Sequence, residues 1–468
     1  VVKRFVHIVL SLCLLVAAGS AQDKGSLVNF KHLEHLTEKI EFLGDSVSIV
    51  HVYSNSPAYE WTEAGNEGIA CVDDAARAAV VYLRRFELTD DEGSLERAKS
   101  LLKFVMKMET NDGMFNNFIF KDHSVNVTGN TSTTSFGWWA ARGVWCMSLG
   151  YRILKDRDRN FALLLKNHIE VTFPHIDSLL LKYNEVRVSK GYRIPRWLLY
   201  ESGADVTSEL LLGLIEYYSS TRSGRVKGFI GKLAEGLMVM QDGDIRTFPY
   251  GLHRSWQTMW HMWGNGQTQA LAAAGKLLGS KKMIQSAERE AEGFYSRLLI
   301  EGSAREMDVS DSGKTQRYEQ IAYAVCPMTV GLIRLYEATH KTRYLKMAGL
   351  GASWFFGNNS LHQEMYDSTT GRCFDAIRDS MTVNKNCGAE SAVEALYALT
   401  ELVRYPLTIK YLHFQKTKRQ TTSRYVYALF TNDSHAEVTV AIDVKKSMLL
   451  VLDGNDSAIF QKKLVQTE

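Results

Sequence analysis

Six times along this chain a helix-length apolar pattern is followed by a second one, and the connections are unequal. Apolar residues recur at i, i+3, i+4 and i+7, the period of an amphipathic helix. The connection into each second helix runs about twenty to thirty residues and the one out of it about two to five, where helix–helix links are usually short and long ones carry function. Six long loops at the same point of a repeat fall on one face of a closed ring. That face is where chemistry is expected.

The expected pairs are 30–44 with 70–87, 93–109 with 135–155, 158–174 with 205–221, 225–240 with 264–279, 281–298 with 319–339, and 342–356 with 388–404. The second helices are apolar nearly all round, as in Ala75-Ala76-Arg77-Ala78-Ala79-Val80-Val81, while the first carry a charged face, as in Leu95-Glu96-Arg97-Ala98-Lys99. A helix apolar on all sides is buried and a one-sided one faces water. The expected fold is therefore an all-α (α/α)6 toroid with the second helices inside. Only six prolines interrupt the chain, which suits long helices. Beyond Pro406, the segments 425–430, 436–444, 448–452 and 458–465 read as strands around turn signals at Asn432-Asp433 and Asp453-Gly454-Asn455. The expected domains are 22–406 for the toroid and 407–468 for a small β appendage.

Residues 1–21 read as a signal peptide: basic Lys3-Arg4, an apolar stretch from Phe5 to Val16, then small residues ending at Ala21. The stretch is too short for a lasting membrane span, so the expected location is secreted or periplasmic. A net charge of +3 gives no field for nucleic acid. Cys71, Cys146 and Cys326 lie in apolar helical contexts and read as core thiols, while Cys373 and Cys387 flank one loop and could pair in an oxidising compartment. No Cys/His cluster has zinc spacing, and neither metal nor cofactor is expected.

The inner helices begin at the long-loop face, where their free N–H groups and dipoles favour carboxylates and hydroxyl-rich ligands. Asp73 and Asp74 open the first inner helix; one is expected to cap it, more readily Asp73, leaving the other for the bowl. Arg77 follows one turn later, near enough to pair with either. Glu319 falls at the fifth inner-helix start and Glu390 in the first turn of the sixth, with Asp375 in the loop before it. Around these acids stand Trp61, Trp138, Trp139, Arg142, Trp256, Trp260, His261, Trp263 and Tyr318. Tryptophan faces stack on sugar rings, and neighbouring polar groups serve the hydroxyls.

Four motifs carry a resemblance: Cys71-Val72-Asp73-Asp74-Ala75-Ala76-Arg77-Ala78; Asp112-Gly113-Met114-Phe115-Asn116-Asn117-Phe118; Trp354-Phe355-Phe356-Gly357-Asn358-Asn359 with Tyr366-Asp367 and Gly371-Arg372-Cys373-Phe374-Asp375; and Asn386-Cys387-Gly388-Ala389-Glu390-Ser391. Over about residues 60–404 the chain resembles the six-hairpin glycosidase superfamily, closest to the bacterial domains found fused to glycosyltransferases. The chain departs from that pattern in lacking a glycosyltransferase half and in having a signal and a β tail. The resemblance implies the toroid and carbohydrate chemistry.

The leading expectation is a secreted glycoside hydrolase on a poly- or oligosaccharide, using two of Asp73, Asp74, Glu319, Asp375 and Glu390. The superfamily is mostly inverting, which implies Glu390 or Glu319 as general acid and Asp74 as base. Arg77 and Arg142 would hold substrate or tune those carboxyls. A lyase or sugar epimerase would instead draw on His253, His261, Tyr318 and Arg142 for proton abstraction. A non-catalytic glycan-binding protein is the third alternative. Because ring closure makes the first and last inner helices neighbours, Asp73-Asp74 and Gly388-Ala389-Glu390 are expected side by side.

Overall fold

The computed structural model describes residues 27–465 except 312 and 313. The expected signal peptide, residues 1–21, lies outside them. Six long helices form an inner ring: Val72–Thr89, Trp138–Leu154, Ala204–Thr221, Gln267–Leu278, Ala322–Thr339 and Ala389–Leu402, hereafter the first to sixth inner helices. Each packs on the next, and the sixth packs on the first, closing the ring. Small residues permit this closeness. At Gly213 of the third helix a side chain would meet the backbone of Trp145, on the second, at 2.8 Å.

Outer helices Glu92–Met108, Arg159–Val171, Gly224–Val239, Lys281–Glu290 and Arg343–Ala352 pack on the first five inner helices in turn. Each outer helix thus packs more extensively on the inner helix before it, across the short connection, than on the one after it. Short links make antiparallel neighbours. Four inner helices end on a left-handed residue, at Asp90, Arg222, Gly279 and His340, which turns the chain tightly outward. The helix expected over 30–44 is only Lys31–Leu36; it packs on the sixth inner helix, and Thr37–Phe42 and Asp45–Val50 form a hairpin instead.

The long loops are knitted into one platform by short ladders. Ala70–Cys71 pairs with Phe118–Ile119, joining the first two loops. Met259–His261 pairs with Glu306–Asp308, joining the fourth and fifth. Gln320–Ile321 pairs with Ala376–Ile377, joining the fifth and sixth. The appendage is a four-stranded antiparallel sheet, in the order Gln415–Thr421, Tyr425–Thr431, Glu437–Asp443 and Met448–Asp453. The strand expected over 458–465 belongs to a helix, Gly454–Val465. Its Phe460 and Leu464 bury against Tyr427 and Ala441 of the sheet, so tertiary packing overrides the local pattern.

At the short-loop end, buried charge ties the ring together. Glu401 of the sixth inner helix is wholly buried, 2.8 Å from Arg334 of the fifth and 3.4 Å from Arg84 of the first. Arg84 and Arg152 both reach Glu216 on the third helix, at 2.5 and 2.6 Å. Removing one partner of such a buried set leaves charge uncompensated. Glu401→Leu is expected to lower stability by about 3–5 kcal/mol, read as a shifted urea midpoint.

Candidate functional site

Neither paired aspartate caps the first inner helix. The helix begins at Val72, and Cys71 is the cap, its Sγ accepting from the Asp74 N–H at 3.5 Å. Asn117, from the second loop, accepts from the Val72 N–H through its carbonyl and from the Asp73 N–H through its side chain. With the terminus served this way, both carboxylates are free to point elsewhere. Asp74 turns to Arg77 (2.8 Å) and is buried, with 8% of its side chain exposed. Asp73 turns to Arg142 on the second inner helix (2.8 Å), in an ion pair off the N–H axis, and is 21% exposed.

Arg77 joins the first helix to the sixth. Its guanidinium lies 2.9 Å from Glu394, 2.8 Å from Asp74 and 3.6 Å from Glu390, which is 47% exposed. The expected adjacency of the first and last inner-helix starts is therefore present. Tyr323, at the start of the fifth helix, lies between the arginines: Arg77 stands 4.9 Å and Arg142 5.5 Å from its ring, and Arg142 donates to its hydroxyl. Trp138 covers Arg142 at 5.0 Å. Beneath lies a narrow cavity on the ring axis, lined by Glu209, Gln269, Tyr323, Glu394 and Tyr397.

Burial dominates the electrostatics. It pushes the Asp74 carboxyl up to about 6 against the pull of Arg77. It pushes Glu209 up to about 7 against Arg142. Glu394 and Asp375 are raised for the same reason. Glu209 Oε2 and Arg142 Nε are buried without a protein partner. Arg77 and Arg142 thus face three raised carboxyls, Asp74, Glu209 and Glu394, whose close charges titrate as a coupled group.

Several expected residues have other roles. Asp375 accepts from the Gly388 N–H and the Ser391 hydroxyl, both at 2.8 Å, and so secures the start of the sixth helix. Glu319 precedes the fifth helix, which begins at Ala322, and makes no ion pair with the cluster. Trp139 is buried and donates to the Phe115 carbonyl. Trp61 stacks on His51 and donates to the His35 carbonyl, in the N-terminal packing. Trp260 and Tyr318 line a different cavity, behind the fifth helix. His261 is buried, bound to Asp205 at 2.7 Å and packed on Trp256 and Trp263. His253 is wholly buried between Glu290 and Ser286. Cys373 and Cys387 are buried free thiols.

Sequence reasoning missed Tyr323, Glu209, Glu394, Tyr53 and Tyr200. Glu394 is one turn beyond Glu390 and Glu209 one turn beyond Asp205; acids inside otherwise apolar helices were the available signal. Tyr53 and Tyr200 are 48% and 57% exposed. Burial and then the nearby Asp74 and Glu390 raise Tyr53, while Tyr200 feels Asp73 and Asp205. Two exposed aromatic faces thus flank the carboxylates. Among the described residues no group of His, Cys, Asp and Glu is arranged to hold a metal, and no helix is long and apolar enough to cross a membrane.

By sequence, no protein-family model and no curated protein matches the chain. Solved structures do. A cellobiose 2-epimerase from Bacillus thermoamylovorans B4167 aligns with TM-score 0.57 at 13% identity, over 81% of this chain and 96% of that one. A cellobiose 2-epimerase from Spirochaeta thermophila DSM 6192 gives 0.56 at 13%, over 82% and 95%. A D-mannose isomerase gives 0.51 at 12%, over 76% and 91%. The fold is the six-hairpin (α/α)6 toroid. It is a fold on which carbohydrate-active enzymes are built.

Gly264 carries the fourth loop over the cluster. Its φ is +66°, and a side chain there would meet Trp138 at 2.8 Å and the Tyr323 hydroxyl at 3.1 Å. Gly264→Ala is expected to displace Trp138 from Arg142, measured as a shift in tryptophan fluorescence emission.

Proposed function

We propose that the chain is a glycoside hydrolase acting on a poly- or oligosaccharide bound in this bowl. One observation carries the reading: two consecutive carboxylates are sent into different environments. Asp73 is open to the bowl and tied to Arg142, whereas Asp74 is buried on Arg77. Paired carboxyls with separated environments are the working parts of glycosidases. The carboxyl that burial raises to about 6 suits the general acid, so Asp74 takes that role rather than the base role expected from sequence. Asp73 is the partner carboxylate that meets the sugar or its attacking water. Trp138, Tyr53 and Tyr200 offer faces for sugar rings, and Arg77, Arg142 and Tyr323 hold the carboxylates in place.

Glu390 does not serve as the inverting partner of Asp74 in this arrangement. Arg77 Nη2 lies 2.8 Å from Asp74 Oδ1 and 3.6 Å from Glu390 Oε2. Two oxygens that share one nitrogen so closely are nearer than the roughly 6.5–9.5 Å that admits a water in inverting enzymes. Glu390 instead lies at the open edge as a substrate contact.

A second reading, sugar epimerisation, is favoured by the names of the structural neighbours. It would draw on His261, whose Nδ1 is buried without a partner. Incubation with a glycan panel separates the two. Hydrolysis releases shorter sugars with new reducing ends, whereas epimerisation changes the sugar without cutting it. An epimer formed with no chain cleavage would end the hydrolase reading.

Asp73→Asn and Asp74→Asn are each expected to reduce turnover by about a hundredfold to ten-thousandfold, and Glu390→Gln by less. The proton on Asp74 is present below its raised value and lost above it. The kcat/KM of the parent is therefore expected to fall as pH rises through about 6, a limb that Asp74→Asn removes.

A further inference from the structure

The fifth inner helix has two occupied faces. Tyr323 and Cys326 face the ring axis, while Ala324, Val325 and Met328 face outward onto a second cavity of about 360 Å³ that shares no side chain with the first. This cavity lies at the seam between ring and appendage. The edge strand Gln415–Thr421 docks there: Lys416 N donates to Asn358 Oδ1 at 3.0 Å, and Gln415 Nε2 to the Phe356 carbonyl at 3.1 Å.

Two cations converge on the cavity. Lys416 reaches in from the edge strand and donates to the carbonyls of Leu299 (3.4 Å) and Ile300 (3.2 Å), leaving a third proton. Arg317 enters from the fifth loop and has no carboxylate partner among the described residues. Glu301, also on this cavity, is already paired with Arg297 at 3.2 Å. Burial, then the neighbouring Arg419 and Arg317, lower Lys416 to about 8 against the smaller opposing pull of Glu301. Exposed Lys418 and Arg419 continue the basic line along the strand. Tyr318 and Met328 supply a wall, with Ser303, Ser360 and His362 also lining the cavity.

We propose that this seam is a second saccharide site, one that takes a uronic acid unit with its carboxylate between Arg317 and Lys416 and its ring against Tyr318. The wall fits an apolar sugar face, the hydroxyl and imidazole groups fit sugar hydroxyls, and a bare hydrocarbon tail would leave those groups unpaired. The proposal rests on the carbohydrate reading of the bowl. It also gives the appendage a function, which is to hold an acidic glycan beside the ring.

Calorimetric titration of the full chain at low salt tests this with trigalacturonate, maltotriose and octanoate. Trigalacturonate is expected to bind, with maltotriose and octanoate at least about tenfold weaker. Arg317→Gln and Lys416→Met should each weaken trigalacturonate about tenfold, and Asp74→Asn should leave its affinity unchanged. Arg317 is exposed on a loop, so its variant keeps the fold if the packed Lys416 variant does not. No trigalacturonate binding, equal binding of maltotriose or octanoate, indifference to Arg317→Gln, or loss in Asp74→Asn would each overturn the proposal. Because the readout is binding, a chain that cleaves no glycan still returns an answer here.

Discussion

The contact on which the rest depends is Arg77, a buried cation that reaches Asp74 on its own helix and Glu394 on the last one. A ring of six helices has one joint between members that are not consecutive in chain order, the one between first and last. Apolar packing alone is non-directional and would tolerate a slip of one helix past the other. A buried guanidinium does not, because leaving either carboxylate without it strands charge in the core. At the other end of the ring, Glu401 plays the corresponding part with Arg84 and Arg334. The joint is therefore pinned at both ends by charge, with small residues filling between.

That arrangement explains why the candidate site lies where it does. The groups that close the ring are also the carboxylates of the bowl, so their positions are fixed by the fold before any substrate arrives. Preorganised charge is what a reaction with developing charge needs. Burial is its counterpart: it raises Asp74, Glu209 and Glu394 even beside Arg77 and Arg142, so these carboxyls keep their protons to higher pH than free ones. Stability and raised proton affinity thus come from one cluster, whose more exposed carboxylates are Asp73 and Glu390. Short ladders within and between the first two loops hold Tyr53 and the approach to Trp138 beside it.

Much of this was legible in the sequence, and the rest failed for identifiable reasons. Loop asymmetry and the all-round apolar helices gave the toroid and the closure of its ring. The aspartate pair, Arg77, Arg142 and Glu390 could be read from their place at inner-helix starts. The cap could not, because Cys71 stands where an aspartate usually would and Asn117 takes the Val72 and Asp73 N–H groups. Segments 37–50 and 458–465 were misread because short apolar runs fit either period and tertiary contacts decide between them. Trp260 lines the other cavity because a strand residue's face depends on ladder register, which spacing does not reveal, and Tyr318 reaches it from the loop before the fifth helix. Glu209 and Glu394 were visible only as acids out of place on apolar helices.

The histidines sharpen the division between fold and chemistry. A toroid brings the starts of six inner helices to one floor, whatever those residues are. What reacts there depends on which side chains remain unspent once the fold is satisfied. His253 is spent, locked between Glu290 and Ser286 away from the floor. His261 is largely spent on Asp205, with Trp256 and Trp263 closing over it. Arg77 and Arg142 are spent on carboxylates. Of the carboxyls beside them, Asp73 and Glu390 keep part of their surface open, and burial raises Asp74 to about 6. Sugar epimerases share the scaffold; in the hydrolase proposed for this chain the proton chemistry falls to oxygen acids rather than to imidazole, and cleavage of a glycosidic bond is a reaction that two such acids perform.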